Sequence, residues 1–366
     1  AFHRGLISAS VIAVVGSNGK TTTKAMIDHI LSARRRGKAS PKSFNNALGV
    51  PLTLLSVESQ DEYVVVEIGT NAPGEIAALA ELARPNLAVL TTIAEEHLEG
   101  LGDLAGVVAE ECAIFAKLES GAFAAVNGDC PLVAPHLPTN GVTVATFGCN
   151  DKADLRVSAV RFDAPWLHFT LNERFQYRLP MAGAHNAMNA AGAITIARRF
   201  GMDHDEIAER LASFAPPPMR NELLEIDGVT ILNDAYNANP DSVAAAIDAL
   251  QSLPCNGRRL VVFGEMRELG EHSPALHLKV AEIFKQARID RVLLVDSATA
   301  EMAAVMGDGS LFGPTVEHCD DLDACVVRLR AVLQPGDVVL LKASRAVGLE
   351  RLVEPLSARQ TTPSVT

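Results

Sequence analysis

The chain has 366 residues, enough for two or three domains, and 48% of them are apolar, enough for substantial cores. A net charge of −12 argues against a nucleic-acid binder, so an anionic ligand has to be met locally by helix N-termini, Lys, Arg or Mg²⁺. The cysteines at 112, 130, 149, 255, 319 and 325 show no Cys-x-x-Cys spacing, which reads as reduced cytosolic thiols and against a disulfide or zinc framework.

Residues 1–10 read as the remnant of a linker, with nothing before Val11 able to bury a face. The apolar run Leu6–Val15 is too short to span a bilayer and leads straight into a glycine turn, so neither a targeting nor a membrane segment is expected. Val11–Val15 reads as a buried parallel strand, and Thr23–Leu31 as a helix with apolar residues at Met26, Ile27, Ile30 and Leu31. Between them lies Gly16-Ser17-Asn18-Gly19-Lys20-Thr21-Thr22. Strand, glycine turn, Gly-Lys-Thr and helix form the plan of a nucleotide triphosphate cradle. Glycines let backbone N–H groups approach phosphate, Lys20 would bridge the β- and γ-phosphates, and the Thr21 hydroxyl would hold Mg²⁺. The longer Gly-x4-Gly-Lys-Thr form would need glycine where Val14 stands, so the loop is the shorter Gly-x-x-Gly-Lys-Thr.

Asn45 and Asn46 lie in a loop leading into a helix, and read either as turn residues or as ligand contacts. Tyr63–Gly69 is a second buried strand ending at Glu67, and Leu87–Thr91 a third, soon followed by His97. Ligands of open α/β sheets bind at the carboxyl ends of strands, so Glu67 and His97 are candidates for one Mg²⁺ site. Further strands are expected at Ala122–Val126, Val142–Phe147, Leu155–Val160 and Trp166–Leu171, the last two antiparallel. A small-residue helix then carries His185, Asn186 and Asn189; the two asparagines share a face, suited to an adenine edge or to helix capping.

Pro216-Pro217-Pro218 marks a boundary. Beyond it strands at Val229–Leu232, Leu260–Phe263, Arg291–Val295 and Asp337–Leu341 alternate with helices, which implies a second parallel sheet. The polar loops Asn233–Pro240, Gly264–Gly270 and Lys342–Arg345 follow three of these strands and should share one rim. The expected fold is α/β: a P-loop ATP-binding domain over 11–215 with a mainly parallel sheet, a smaller Rossmann-like domain over 216–356, and a frayed tail over 357–366.

Together these motifs resemble the Mur ligase family, most closely its MurF branch, over about Val11 to Glu354. The blocks are Gly16–Thr22, Asn45–Leu55, Glu67–Asn71 with Gly74–Ile76, and His97–Gly100. His185-Asn186-x-x-Asn189, Asp234–Pro240, Glu268–Gly270 and Lys342-x-Ser344-Arg345 complete the order. The resemblance implies an ATP- and Mg²⁺-dependent ligase that joins a small-molecule carboxylate to an amino acid or dipeptide amine through an acyl phosphate, in the cytoplasm. It implies phosphate and Mg²⁺ handling by Lys20 and Thr21, and a second Mg²⁺ on Glu67 and His97. It places Asn186 and Asn189 by adenine, Arg220 and Asp234 on the nucleotide, and Lys342, Ser344 and Arg345 near the incoming amine. Asn45, Asn46, Asn237 and Asn239 are the remaining substrate candidates. The chain departs from the family where a carbamylated lysine is usual: Glu111 stands there, a carboxylate able to serve as metal ligand without CO₂. Ala72, Met219, Asn233, Glu265 and Ala343 also depart. Family members begin with a domain of about one hundred residues that grips UDP, whereas this chain starts at the linker. Three expectations follow: a chain shortened or served by a partner protein supplying that domain, a divergent stand-alone ligase joining an amino acid to a non-UDP carboxylate, or a non-catalytic nucleotide-binding partner protein. A folylpolyglutamate-synthase-like ligase ranks below these, because Tyr236–Pro240 and Glu268–Gly270 match the MurF branch better.

Overall fold

The structure is a computed structural model and describes residues 2–307 and 313–357. The expected frayed tail lies outside these, apart from Ser357. Contacts divide the chain into two units, Ala1–Pro217 with Glu268–Gly270, and Pro218–Arg267 with Glu271–Thr366.

In unit 1 the strands are β1 (Ser10–Val15), β2 (Gly37–Ala39), β3 (Tyr63–Glu67), β4 (Leu87–Leu90), β5 (Phe123–Asn127), β6 (Thr143–Gly148), β7 (Leu155–Asp163), β8 (Trp166–Leu171) and β9 (Phe175–Leu179). They form one sheet in the order β2-β3-β1-β4-β5-β6-β7-β8-β9. Pairing is parallel from β2 to β7 and antiparallel through β8 and β9. The apolar runs of β1, β3 and β4 are buried on both faces, which is why they read as continuous hydrophobic stretches. β1 lies between β3 and β4; its own connection leads to β2 on one side and that of β4 to β5 on the other, so the switch point where ligands of such sheets bind falls at the carboxyl ends of β1 and β4.

The helices that matter for the site are α1 (Lys20–Leu31), α2 (Gly49–Leu55), α3 (Glu75–Ala83), α4 (Leu98–Leu101), α5 (Leu104–Cys112) and α6 (His185–Arg199). α1 and α6 pack on one core with Ile12, Val14, Val89, Phe147 and Phe169. The small residues of α6 bring it close to the sheet: a Cβ on Gly192 would press on Phe147 and Val89. The first ten residues are less linker-like than expected. Ser10 already belongs to β1, and a 3₁₀ turn at His3–Leu6 is tied down by Arg4, whose guanidinium donates to the carbonyls of Ala83 (2.6 Å) and Arg84 (2.8 Å).

In unit 2 the strands are β10 (Glu222–Ile226), β11 (Val229–Asn233), β12 (Arg259–Phe263), β13 (Arg291–Val295), β14 (Thr315–Cys319) and β15 (Val338–Lys342). Their order is β10-β11-β15-β12-β13-β14, parallel except for the edge hairpin β10–β11. β11, β15 and β12 are neighbours and run the same way, so the three polar loops after them do fall on one rim. A separate apolar core lies under this sheet, including Ile231, Val262, Leu293, Leu329 and Leu341. Among the described residues no helix is long and apolar enough to cross a membrane.

Candidate functional site

β1 ends at Val15, and the chain turns through Gly16 at φ +120° into a loop fixed on one side by the segment after β4. Ser17 N and Asn18 N donate to Thr92 O at 2.7 and 3.2 Å. The Ser17 hydroxyl exchanges hydrogen bonds with both the N–H and the C=O of Ala94. A Cβ at Gly16 would overlap the Thr91 hydroxyl, and one at Gly19, where φ is +88°, would overlap Asn189 Oδ1. Both positions therefore require glycine for space as well as for backbone angle. Gly19 is the N-cap of α1 and makes no side-chain cap, so the positive end of the helix dipole begins at Lys20, with Thr21 and Thr22 buried in the first turn. The Lys20 ammonium folds back on the loop. It donates to the carbonyls of Gly16 and Ser17 and lies 3.5 Å from Glu96.

Glu111 sits under this loop. It is 1% exposed, and its Oε2 accepts the Gly16 N–H at 2.7 Å. Burial pushes its carboxyl up to about 7, with Lys20 pulling the other way. Its sequence neighbour Glu110 does different work. It accepts from Gly74 N (2.7 Å) and Ile76 N (2.8 Å) at the start of α3.

Three of the four expected metal ligands, Glu67, His97 and Glu111, have partners within the chain. Glu67, 1% exposed at the end of β3, is met by the Lys24 ammonium at 2.9 Å and by Asn45 Nδ2 at 3.0 Å. His97 is paired through Nδ1 with Glu268 at 2.5 Å, and its Nε2 lies 3.8 Å from Glu96. Burial works against a charged His97, but Glu268 and Glu96 outweigh it and raise its pKa. Glu111 is spent on the phosphate loop. Among the described residues no three His, Cys, Asp or Glu side chains are grouped to hold a metal ion. Glu67, His97 and Glu111 are each met here by a group of the chain itself: an ammonium, a carboxylate and a backbone N–H.

The amides of α6 are likewise committed. Asn186 Nδ2 donates to Ala182 O at 2.8 Å and Asn189 Nδ2 to Asn186 Oδ1 at 3.0 Å. Asn189 Oδ1 faces Gly19 and the Thr23 hydroxyl, so this face backs the phosphate loop. Asn46 caps the turn into α2 by accepting from Leu48 N and Gly49 N, while Asn45 reaches Glu67.

In unit 2, Lys342 is 2% exposed. Its ammonium lies 3.1 Å from Asp234 Oδ2 and donates to the carbonyl of Asn237. Burial lowers its pKa against the pull of Asp234. Asp234 Oδ1 also accepts Asn221 N at 3.1 Å. Lys342, expected beside the incoming amine, is therefore a strut inside the loop cluster: β15 lies between β11 and β12, and its last side chain stitches the loop after β11. Ser344 Oγ donates to Asn237 Oδ1 at 3.3 Å and accepts Arg267 N at 2.9 Å. Arg220 stacks on Tyr236, 3.9 Å from the ring centroid. Arg345 is exposed and pairs with Glu350 at 2.5 Å. Asn239, expected at the substrate, is buried as the N-cap of the helix Pro240–Ser252, in a reciprocal box with Ser242.

Sequence reasoning missed Lys24, Glu96 and the Ser17–Ala94 clasp. The acidic pair Glu95-Glu96 immediately before His97 is a signal for the second. Nothing in the sequence points to the other two.

A sequence model of the Mur ligase middle domain matches residues 14–197, and one of the Mur ligase glutamate ligase domain matches residues 219–345. The chain is 34% identical over 355 residues to the UDP-N-acetylmuramoyl-tripeptide–D-alanyl-D-alanine ligase of Bacillus subtilis, covering 96% of this chain and 76% of that protein. The crystal structure of MurF from Acinetobacter baumannii superposes with a TM-score of 0.86 at 25% identity, covering 98% of this chain and 79% of the other. That of MurF ligase from Thermotoga maritima in complex with ADP gives 0.85 at 28% identity, with 97% and 81% covered.

Proposed function

Because the chain belongs to the Mur ligase family of ATP-dependent ligases, we propose that it joins the carboxylate of a UDP-N-acetylmuramoyl tripeptide to the amine of D-alanyl-D-alanine. The observation that carries this reading is the phosphate loop Gly16–Thr22, built at the carboxyl end of β1 in a chain 34% identical to a ligase of that name. In the first step a carboxylate oxygen attacks the γ-phosphorus of ATP, forming an acyl phosphate and releasing ADP. In the second the amine attacks the acyl carbon, phosphate leaves, and the nitrogen gives up a proton.

No protein nucleophile is needed, so the side chains serve to position and to stabilise charge. Lys20 is the cation assigned to the transferring phosphoryl group. To reach it the ammonium gives up the Gly16 and Ser17 carbonyls, which the nucleotide oxygens replace. The N-terminus of α1 favours the phosphate charge, and Glu111 holds Gly16 N so that the turn keeps its shape. Magnesium enters this reading as part of the substrate, bound to ATP, with the Thr21 hydroxyl its assigned protein ligand. Asn45 and Asn46 are assigned to the acid, and the Asn237–Ser344–Arg345 loops to the amine. The reaction belongs where ATP is held, in the cytoplasm, and all six cysteines are unpaired.

The test is release of phosphate by the purified chain given MgATP, the UDP-linked tripeptide and D-alanyl-D-alanine. The expected result is release that needs all three and is lost in Lys20→Ala. Release with another acid and amine, but none with this pair, rejects the substrate assignment and leaves the ligase chemistry standing.

A further inference from the structure

Lys24 follows the phosphate loop by a single helical turn, yet its side chain is 4% exposed. Lysine has a flexible four-carbon stem and a strongly hydrated head, so burying it needs a reason. Its ammonium has two partners, the Glu67 carboxylate at 2.9 Å and the carbonyl of Lys42. The other Glu67 oxygen accepts Asn45 Nδ2 at 3.0 Å, and Asn45 O accepts Gly69 N at 2.9 Å. Glu67 N is in turn bonded to the Ser40 hydroxyl at 3.1 Å. The segment from Ser40 to Asn45 is thus laced over the carboxyl end of β3 by these hydrogen bonds and by one buried ion pair. One member of that pair stands on the helix that the phosphate loop begins.

Lys42 itself has φ +47°, a left-handed angle that a lysine holds only when its surroundings impose it. A buried ion pair adds little net stability over a well-packed apolar pair of the same volume, so its use is in fixing geometry. We propose that Lys24 is a positioning residue: through Glu67 and the Lys42 carbonyl it sets the loop 42–46 that carries Asn45 and Asn46 to the acid substrate, from the helix that receives the nucleotide. This rests on the reading that the loop meets the acid.

The test compares the full chain with its Lys24→Met and Lys24→Arg variants by hydrogen exchange, nucleotide titration and steady-state kinetics. In Lys24→Met, amide exchange over 42–46 should rise by about tenfold or more while exchange over β1 and β3 stays put. The KM for the acid should rise by about tenfold, with ADP affinity held within about twofold, and Lys24→Arg should recover most of the loss. Unchanged exchange over 42–46 overturns the proposal. So does a fall in ADP affinity as large as the rise in KM, since Lys24 would then serve the phosphate loop. Faster exchange with an unchanged KM also overturns it. If Lys24→Met does not fold, Lys24→Gln, which removes the charge of the ion pair while keeping a polar head for the Lys42 carbonyl, takes its place, and the same two readings decide. Failure of the functional reading looks different: no acid is turned over by the unmodified chain, and the exchange comparison still judges Lys24.

Discussion

Gly19 shows how tightly individual residues are held in the phosphate loop. It is left-handed at φ +88°, and the space where a side chain would begin is filled by Asn189 of α6. Gly19→Ala should cost about 1–3 kcal/mol of stability and weaken ADP binding by about tenfold or more, read by thermal melting and calorimetric titration. Adding Asn189→Ala removes the overlap but not the backbone strain, so the double variant should recover stability only in part. The sequence made the loop legible, since strand, glycine turn, Gly-Lys-Thr and helix are local signals. It did not make the supports legible. Glu110 and Glu111 are adjacent and identical, and only the orientation of α5 sends one to the start of α3 and the other to Gly16. Lys24 reads as a surface lysine on a helix until the fold brings Glu67 against it. Asn186 and Asn189 share a face, as their spacing implies, but the polar groups they meet belong to the chain itself.

The strands and helices of the interior were legible and the edges were not. β1, β3, β4, β12, β13 and β15 are apolar runs buried nearly throughout, and such runs announce themselves. β2 is Gly37-Lys38-Ala39 and has no β-branched residue; it is a strand only because β3 offers its edge. β10 and β14 are edge strands of unit 2 and are half-exposed, so their patterns are weak. The loop after β11 is an instructive case. Asn239 was expected at the substrate because it stands in a polar loop at a strand's carboxyl end. The same letters, Asn-Pro-x-Ser, also spell a helix start, and the structure uses them so: Asn239 Oδ1 accepts Ser242 N at 2.8 Å and Asn239 N donates to Ser242 Oγ at 3.0 Å. Asn239→Ala should therefore cost about 1 kcal/mol of stability with the KM of either substrate unchanged. A KM shift without a stability loss would return the residue to the substrate.

At the scale of the molecule, two sheets carry two separate cores, and a disturbance in one should stay there. Asp337 offers the cleanest way to disturb the second. Its side chain is fully buried before β15, where it takes Arg258 Nη2 at 2.6 Å, Arg258 N at 2.9 Å and Gln334 N at 3.0 Å. Burial resists ionisation of the carboxyl, but these donors outweigh it and hold the group below its ordinary 3.8. A carboxylate depressed in this way adds stability that is fully present above about pH 4 and is lost as the pH falls through its lower folded-state value. Asp337→Asn should cost unit 2 about 2 kcal/mol at neutral pH, since an amide oxygen replaces a charged acceptor and its NH₂ faces donors. Acidification should shrink that difference, because protonation does to Asp337 what the substitution has already done. The readout is hydrogen exchange: amides of β11, β12 and β15 should exchange faster in the variant at pH 7, while those of β1, β3 and β4 keep their rates. Equal acceleration in both sheets would mean that the cores unfold as one, and a difference that persists unchanged toward pH 2 would mean that Asp337 is not the group that titrates.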